Sequence, residues 1–332
     1  MNKLIFKLFY CIRTFDAILL LFVVILTGCG ITGKTAGMQS ETVRNPEVYF
    51  CPRDDCGKIL ESHINSANYS VHCAIYDINL KNVINALSKK SKSIDVKVVM
   101  DSSNQEGQIK GQGIRLDNNE QLMHNKFCVF DGNSVITGSF NPTDNDNYHN
   151  NNNALVVYSR AIGENYEAEF GELWDGKFGK GGNVRHPVVY INGIEMENYF
   201  CPEDKCASRI TDLIKNAEKS AYFMSFSFTS DEIAEALIKK KGLDIRGIFD
   251  SSRSSNKFSQ FKRLNESGII VKKDSGKYKM HHKVFIIDNQ TVVTGSFNPT
   301  LSADTKNDEN ILIIHDKNIT GLFLKEFDSL WK

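Results

Sequence analysis

Apolar residues recur along the chain with two spacings, one typical of helices and one typical of strands. Residues 57–68 place apolar positions three or four apart, which predicts an amphipathic helix, and residues 80–89 repeat that spacing. Short apolar runs at 71–76, 94–100, 126–130, 134–136 and 154–157 predict strands, and residues 166–174 predict a closing helix. Residues 131–133 read Asp-Gly-Asn between two of these runs, which indicates a hairpin. Strands that alternate with helices, with one hairpin, predict an α/β fold in which helices cover both faces of a mixed sheet.

This pattern occurs twice. Residues 48–56 (VYFCPRDDC) return as residues 198–206 (NYFCPEDKC), and Leu173-Trp174 returns as Leu330-Trp331. Each copy has about 135 residues, enough for a domain with its own core. We therefore expect a signal segment at 1–28, a tether at 29–46, an N-terminal lobe at 47–178, a linker at 179–196 and a C-terminal lobe at 197–332.

Composition and charge narrow the functional classes. Of the 332 residues, 41% are hydrophobic and 24% are charged, which excludes a disordered chain and a polytopic membrane protein. The formal net charge of zero gives no overall basic field that would indicate a nucleic-acid partner. A local basic groove remains compatible with that balance.

The N-terminus has the layout of an export signal. Basic residues at positions 3, 7 and 13 precede an apolar run at 17–26, which is too short to span a bilayer and is typical of a signal peptide. The ending Leu26-Thr27-Gly28-Cys29 resembles the lipobox of bacterial lipoproteins, which implies cleavage before Cys29 and a lipid on its thiol. We expect an exported protein held by this lipid anchor on the periplasmic or cell-surface side of a membrane. The alternative is an uncleaved N-terminal anchor.

One motif in each copy carries the chemistry. His-x-Lys is followed by four residues, an Asp, six residues and Gly-Ser-Phe-Asn-Pro-Thr, beginning at His124 and again at His281. Residues i and i+2 of a strand share a face, so each His and its Lys point the same way. An imidazole beside a fixed cation suits a phosphodiester, because negative charge spreads over the phosphoryl oxygens in the transition state.

This spacing resembles that of the phospholipase D superfamily, and the likeness covers essentially residues 47–332. The resemblance implies two tandem α-β-α sandwich lobes with mixed sheets and an active site at the lobe interface. One imidazole would form a phosphohistidine and the other would act as general acid and base, without a metal or cofactor. Both half-sites lie in one chain, so no oligomer is required.

The resemblance also assigns individual residues. The catalytic set is His124, Lys126, Asp131, His281, Lys283 and Asp288, in which we expect the two aspartates to fix the turn or the lysine. The phosphate-binding set is Ser139, Asn141, Ser296 and Asn298. The family often carries a carboxylate hydrogen-bonded to an active-site imidazole where this chain has Glu309 in one copy and Asn152 in the other. We therefore expect Glu309 to orient His124, and His124 to be the nucleophile.

The remaining polar residues allow simpler interpretations. Four cysteines, Cys51, Cys56, Cys201 and Cys206, could hold zinc, but in an exported chain a disulfide in each lobe is favoured. Cys73 and Cys128 lie in apolar runs and are expected to be core thiols. His282 should face away from the site, and residues 144–153 should form a mobile loop near its entrance.

The sequence leaves the substrate open between a phospholipid and a single-stranded nucleic acid. The Gly-Ser-Phe-Asn-Pro-Thr tail followed by Asn-x-Glu-Asn resembles the nuclease-like branch of the family, whereas a membrane tether favours a phospholipid. A phosphatidyltransferase similar to cardiolipin synthase is an alternative, with an alcohol in place of water. A non-catalytic phosphate-binding module is the alternative outside the enzymes.

Overall fold

The first copy of the repeat folds around one mixed sheet in this computed structural model, which describes residues 39–104, 113–117 and 120–332. The expected signal and Cys29 lie outside the described residues. In chain order the strands are β1 Gln39–Glu41, β2 Glu47–Cys51, β3 Ser70–Ile75, β4 Asp95–Met100, β5 Ile114–Leu116, β6 Lys126–Phe130, β7 Ser134–Gly138 and β8 Asn152–Tyr158. All but β1 belong to the first sheet, in the order β2-β8-β7-β6-β3-β4-β5. Strand β3 pairs parallel with β4 and antiparallel with β6.

The second copy repeats this sheet and extends it. Its strands are β9 Val188–Ile191, β10 Ile194–Cys201, β11 Ser220–Ser225, β12 Asp244–Phe249, β13 Ile270–Lys273, β14 Lys283–Ile287, β15 Thr291–Gly295 and β16 Glu309–His315. The order is β1-β9-β10-β16-β15-β14-β11-β12-β13, so the strands shared with the first copy keep their arrangement.

Helices cover both faces of each sheet, as the sequence predicted. The first copy contains α1 Cys56–Ser66, α2 Lys81–Lys90, α3 Asp144–Tyr148 and α4 Arg160–Trp174. The second contains α5 Cys206–Asn216, α6 Asp231–Lys239, α7 Ser251–Ser254, α8 Phe261–Glu266, α9 Leu301–Thr305 and α10 Lys317–Leu330. Helices α1 and α2 share an apolar cluster with one face of the first sheet, and α5 and α6 do the same on the second. The other faces meet α4 and α10 in one central cluster that contains residues of both lobes.

Helix α4 begins six residues earlier than the apolar spacing predicted. The Ser159 hydroxyl accepts a hydrogen bond from the Ile162 N–H at 3.1 Å, which satisfies a free amide of the first turn. Asp316 caps α10 in the same way, through the Ile319 N–H at 2.7 Å. The signal was therefore present in the sequence as a serine directly before the first turn of the helix.

The tether expected at residues 29–46 and the linker expected at residues 179–196 both include residues that form strands. Residues 39–41 form β1, which pairs parallel with β9, and the predicted linker at 179–196 contains β9 and the start of β10. Asn192 and Gly193 join these strands with φ of 51° and 82°, the left-handed pair that a two-residue hairpin requires. This Asn-Gly turn was the missed signal.

The lobes have one disulfide in common, and the N-terminal lobe has a second one between two strands of its sheet. Cys51 is joined to Cys56 and Cys201 to Cys206, so each lobe carries a disulfide at the start of its first helix. The prediction of free thiols at Cys73 and Cys128 was wrong, because the two residues face each other across β3 and β6 and form a disulfide. The second lobe has Phe223 against Phe285 at this place, with ring centroids 5.9 Å apart.

Gln39–Lys332 form one compact unit. No helix within the described residues combines the length and apolar character needed to cross a bilayer.

Candidate active site

Each histidine is held in place by the other lobe. The His124 N–H donates to the Asp308 carbonyl oxygen at 3.0 Å, and the His281 N–H donates to the Asn151 carbonyl oxygen at 2.8 Å. The segment before β6 thus runs beside the segment before β16, and the segment before β14 runs beside that before β8. As a result both imidazoles line one cavity of about 750 Å³.

A glycine in each copy allows the backbone segments around the site to approach one another closely. Gly138 and Gly295 have φ of 146° and 154°, and a Cβ at either position would collide with the carbonyl oxygen of Asn153 or Asn310 respectively. Close backbone approach therefore requires glycine here. It brings the serine that follows each glycine next to the strand carrying the histidine's partner.

His124 is bonded to a buried carboxylate. Its Nδ1 lies 2.8 Å from Glu309 Oε2, and the Ser296 hydroxyl donates to the same oxygen at 2.6 Å. Because a carboxylate accepts, Nδ1 carries the proton and Nε2 keeps its lone pair. The contact predicted between Glu309 and His124 is present.

His281 is bonded to an amide. Its Nδ1 lies 2.8 Å from Asn152 Oδ1, to which the Ser139 hydroxyl donates at 3.0 Å. A carboxylate is nonetheless close, because Asp146 Oδ2 lies 3.5 Å from the same Nδ1. Asp146 is buried and is fixed by both the backbone N–H and the side-chain amide of Asn141, at 3.0 and 2.8 Å.

Burial controls the protonation of both imidazoles. Desolvation lowers the pKa of His124 to about 4, against the opposing effect of Glu309. Desolvation, reinforced by the nearby positive charges of Lys283 and Lys126, also holds the pKa of His281 well below its ordinary value. Both shifts favour the neutral imidazoles near pH 7, and a bound anion would favour their protonated forms.

Two buried lysines supply positive charge. Lys126 Nζ donates to the carbonyl oxygen of His124 at 2.7 Å, and Lys283 Nζ donates to that of His281 at 2.8 Å. The ammonium groups also lie 4.9 Å from the ring centre of Tyr76 and 5.3 Å from that of Phe226, respectively. Desolvation lowers the pKa of Lys126 to about 8 and holds that of Lys283 well below its ordinary value. Both lysines are buried, and neither is among the residues that line the cavity.

The two motif aspartates, which the resemblance grouped with the catalytic residues, do not line the cavity. Asp131 has φ of 52° at the end of β6 and accepts hydrogen bonds of 2.7–3.1 Å from the backbone N–H groups of residues 68–70. Asp288 accepts equivalent bonds from residues 218–220. They fix the turn at the far end of the strand, which is the structural role expected of them.

The phosphate-binding set divides into two pairs. Ser139 and Ser296 are fully buried and do not line the cavity, so the expectation that their hydroxyls hold phosphoryl oxygens was wrong. Their hydroxyls orient Asn152 and Glu309 instead. Asn141 and Asn298 do line the cavity.

The asparagine-rich run was misread as a mobile loop. Residues 144–148 form α3, and Asn153 Nδ2 lies 3.0 Å from His282 Nδ1 in the other lobe. Reciprocally, Asn310 Nδ2 donates to Asn125 Oδ1 at 2.7 Å. His282 is fully buried, contacts the other lobe and does not line the cavity, so it faces away from the site as expected. The alignment of the run with residues 307–310 was the available signal.

A group with metal-ligand chemistry lies elsewhere. Glu195, Glu197 and His315 bring three potential ligand atoms within 4.8 Å of one another in the described part of the chain. They do not line the cavity, and His315 Nε2 is already 2.8 Å from Glu197.

Two repeated α/β lobes that share paired His-Lys motifs across one polar cavity define a class of phosphodiester-processing proteins. Residues 60–174 and 210–331 match the family described as "Cardiolipin synthase, PLD-like domain". The chain belongs to the phospholipase D superfamily, as the sequence predicted.

The chain is similar to two curated relatives and to one solved structure. It is 36% identical over 146 residues to a phospholipase D of Rickettsia prowazekii (strain Madrid E), covering 43% of this chain and 71% of that protein. It is 34% identical over 151 residues to a mitochondrial cardiolipin hydrolase of Xenopus tropicalis, covering 44% and 70% respectively. The structure of phosphatidylserine synthase from Haemophilus influenzae Rd KW20 superposes with a TM-score of 0.65 over 85% of both chains, at 13% identity, and so shares the fold.

Proposed function

We propose that this protein hydrolyses a phosphodiester through a covalent phosphohistidine, with His124 as nucleophile and His281 as general acid and base. One observation carries the proposal: each imidazole lines the same cavity and binds through Nδ1 to an acceptor, leaving Nε2 for the substrate. The acceptors differ, since His124 binds a carboxylate and His281 an amide. A carboxylate raises the basicity of the ring it holds, which favours His124 for attack.

The reaction balances over two steps. The His124 Nε2 lone pair attacks phosphorus, the bond to the leaving oxygen breaks, and that oxygen takes the proton from protonated His281 Nε2. Water then attacks the phosphohistidine and gives its proton to His281. The phosphorus–nitrogen bond breaks, and its electron pair returns to His124.

Protein cations stabilise the charge that develops on the phosphoryl oxygens. Lys126 and Lys283 are placed by their own motif carbonyls beside the two histidines. Asn298 lines the cavity and offers an amide donor. These groups carry the role that a metal ion has in other phosphodiesterases, so activity should survive chelation.

The test is hydrolysis of bis(4-nitrophenyl) phosphate with EDTA present, followed by quenching in alkaline SDS, where a phosphorus–nitrogen bond survives, and peptide mapping of the modified residue. We expect release of nitrophenolate and a 4-nitrophenyl phosphoryl group on His124, with neither in His124→Asn. The same group trapped on His281 in the wild-type protein would reverse the assignment. Complete loss of activity in EDTA would contradict the metal-free mechanism.

We also propose that the protein is exported and held at a membrane by a lipid on Cys29. The support is the residue pattern before that cysteine. The wild-type chain should partition into the detergent phase of a Triton X-114 extraction of the producing cells, and Cys29→Ser should move to the aqueous phase. Equal partitioning of the wild type and Cys29→Ser would contradict the proposed lipid anchor.

A further inference from the structure

We infer that the C-terminal wall of the cavity is a subsite for the neighbouring phosphate and base of a single-stranded nucleic acid. The inference rests on the proposed phosphodiesterase function and names the substrate class for that site. The subsite consists of Arg253, Lys277, Tyr278 and Lys279, all of which line the cavity.

The residues of this subsite are specific to the C-terminal lobe, as an alignment of the two lobes shows. The Met123 N–H donates to Asp101 Oδ2 at 3.0 Å, and the Met280 N–H donates to Asp250 Oδ2 at the same distance. This shared contact sets the register. Lys277-Tyr278-Lys279 therefore stand where the N-terminal lobe has Glu120-Gln121-Leu122, and Arg253 stands where it has Asn104.

The three cations are available to an anion. All are exposed, and none lies within salt-bridge distance of a carboxylate in the described part of the chain. The Arg253 guanidinium lies 5.1 Å from the Phe226 ring centre, and the ammonium groups of Lys277 and Lys279 lie 5.2 and 5.8 Å from the Tyr278 and Phe226 ring centres. Cations beside aromatic rings are the combination with which proteins bind single-stranded nucleic acids.

Tyr278 provides a stacking surface at the mouth of the cavity. Its ring is stacked on His149 of the other lobe, with centroids 4.4 Å apart and planes inclined by 15°. The residue is nevertheless 43% exposed. An aromatic ring supported on one side and open to solvent can accept a base, and such stacking does not depend on sequence.

The opposite wall carries carboxylates, and within the described residues no lysine or arginine lines it. Asp77 and Asp146 line it, and their equivalents in the C-terminal lobe are Ser227 and Ala303. The C-terminal wall also has two carboxylates, Asp250 and Glu309, but both accept hydrogen bonds from groups of the protein. A polynucleotide continues with more phosphates on the far side of the scissile one, so its chain would leave over the basic wall.

Leu122 and Ala303 are the aliphatic residues that line the cavity within the described residues, and Tyr76, Phe226 and Tyr278 line it with aromatic rings. The cavity therefore offers rings for stacking and few aliphatic side chains for acyl chains.

The experiment replaces three residues of the subsite with the residues at the equivalent positions of the N-terminal lobe. The variant K277E/Y278Q/K279L carries the residues of the N-terminal lobe, and K317E/K325Q makes the same change in charge on α10, away from the cavity. Binding of a fluorescein-labelled ten-nucleotide thymidine strand is measured from 50 to 300 mM salt. Cleavage of that strand and of bis(4-nitrophenyl) phosphate is measured in parallel.

We expect the triple variant to bind the oligonucleotide at least ten-fold more weakly. The slope of log affinity against log salt should become less steep by about one to two, because each phosphate contact contributes about 0.7. kcat/KM should fall at least five-fold more for the oligonucleotide than for the small diester. The control pair should match the wild type in both. Y278A should weaken binding about ten-fold, whereas Y278F should not.

The outcomes separate the two proposals. If the wild type hydrolyses the small diester but the triple variant binds the oligonucleotide as the wild type does, the subsite is wrong and the phosphodiesterase stands. Hydrolysis of anionic phospholipid vesicles without cleavage of the oligonucleotide would also overturn the subsite. If the wild type cleaves no diester and forms no phosphohistidine, the proposed function itself fails.

Discussion

The N-terminal and C-terminal half-sites use the same backbone plan and differ in the group that holds the opposite histidine. Ser139 and Ser296 occupy equivalent places, but the first orients Asn152 and the second orients Glu309. The N-terminal half-site has its carboxylate six residues earlier, at Asp146, where the C-terminal one has Ala303. A duplicated site thus keeps one acidic group per histidine but at two distances, 2.8 Å for His124 and 3.5 Å for His281.

This difference indicates how a symmetric scaffold acquires two roles. Direct contact with a carboxylate favours one tautomer and increases basicity, which a nucleophile needs. A carboxylate slightly farther away stabilises the protonated ring while an amide accepts the Nδ1 proton, which suits a general acid. The cavity walls also differ, because carboxylates line both sides but lysine and arginine line only the C-terminal side within the described residues.

The largest effects should come from the histidines themselves. His124→Asn should lower kcat/KM by more than about 10⁴-fold for every diester, because no covalent intermediate can form. His281→Asn should lower hydrolysis of an alkyl diester by about 10²–10⁴-fold, but the first step with a nitrophenyl ester much less, since nitrophenolate leaves without a proton. Rapid-quench kinetics would show phosphohistidine accumulating in His281→Asn. Accumulation in His124→Asn instead would exchange the two roles.

Exchanging the acceptors is the next test. Glu309→Asn, which gives the C-terminal half-site the residue of the other, should lower kcat/KM by about 10²–10⁴-fold because His124 loses its carboxylate. Asn152→Glu should cost only about ten-fold, by placing a second carboxylate near Asp146. Steady-state kinetics with melting temperatures as a folding control would decide. Equal losses would mean that the two acceptors do not divide the roles.

Asp146 tests the looser of the two contacts. Asp146→Ala, the residue of the C-terminal copy, should lower kcat/KM for an alkyl diester about ten-fold by removing the charge that stabilises protonated His281. Adding Asn152→Glu should recover most of that loss, because it returns the carboxylate to the position equivalent to Glu309. A double variant whose loss equals the combined losses of the single variants would show that Asp146 acts only through the packing of α3.

The lysines provide a smaller effect that depends on pH. An ammonium binds the anionic diester and a neutral amine does not, so KM should rise as the two buried lysines lose their protons, which for Lys126 occurs at a pH of about 8. Lys126→Arg should remove the part of the rise near that pH, since a guanidinium stays charged throughout the range. The measurement is KM for bis(4-nitrophenyl) phosphate between pH 6 and 10. Removal of the rise by Lys283→Arg alone would assign it to the other half-site.

The smallest effect on activity should come from the disulfide between Cys73 and Cys128. Its loss in C73S/C128S should lower the free energy of unfolding by about 2–4 kcal/mol and leave kcat near the wild-type value at 25 °C. The C-terminal lobe offers the matched pair, Phe223 and Phe285, and F223L/F285L should lower stability without reductant dependence. Urea titration with and without reductant would distinguish the two. Under reductant the wild type should lose this cross-link too, so the difference in stability between it and C73S/C128S should shrink. A difference that is the same with and without reductant would contradict the cross-link.

The duplication made much of the fold predictable. The strands around Lys126 and Lys283 followed from two copies in register, and the contact between Glu309 and His124 followed from the family resemblance. The contact between Asn153 and His282 was missed, because the aligned asparagines show equivalent positions but not which residue of the other lobe each one meets. The serines were misplaced for a related reason: their spacing shows that they lie near the histidines but not whether their hydroxyls point into the cavity.

Strand β1 changes what the proposed anchor can do. With the chain committed to the sheet from Gln39, only ten peptide units separate that residue from Cys29, and they span at most about 35 Å. A tether that continued to residue 46 would have given roughly 60 Å. A lipid on Cys29 would therefore keep Gln39 within about 35 Å of the bilayer surface. Substrates would have to come to that narrow layer, and lengthening the segment by a Gly-Ser insertion before Gln39 would widen the zone from which they can be taken.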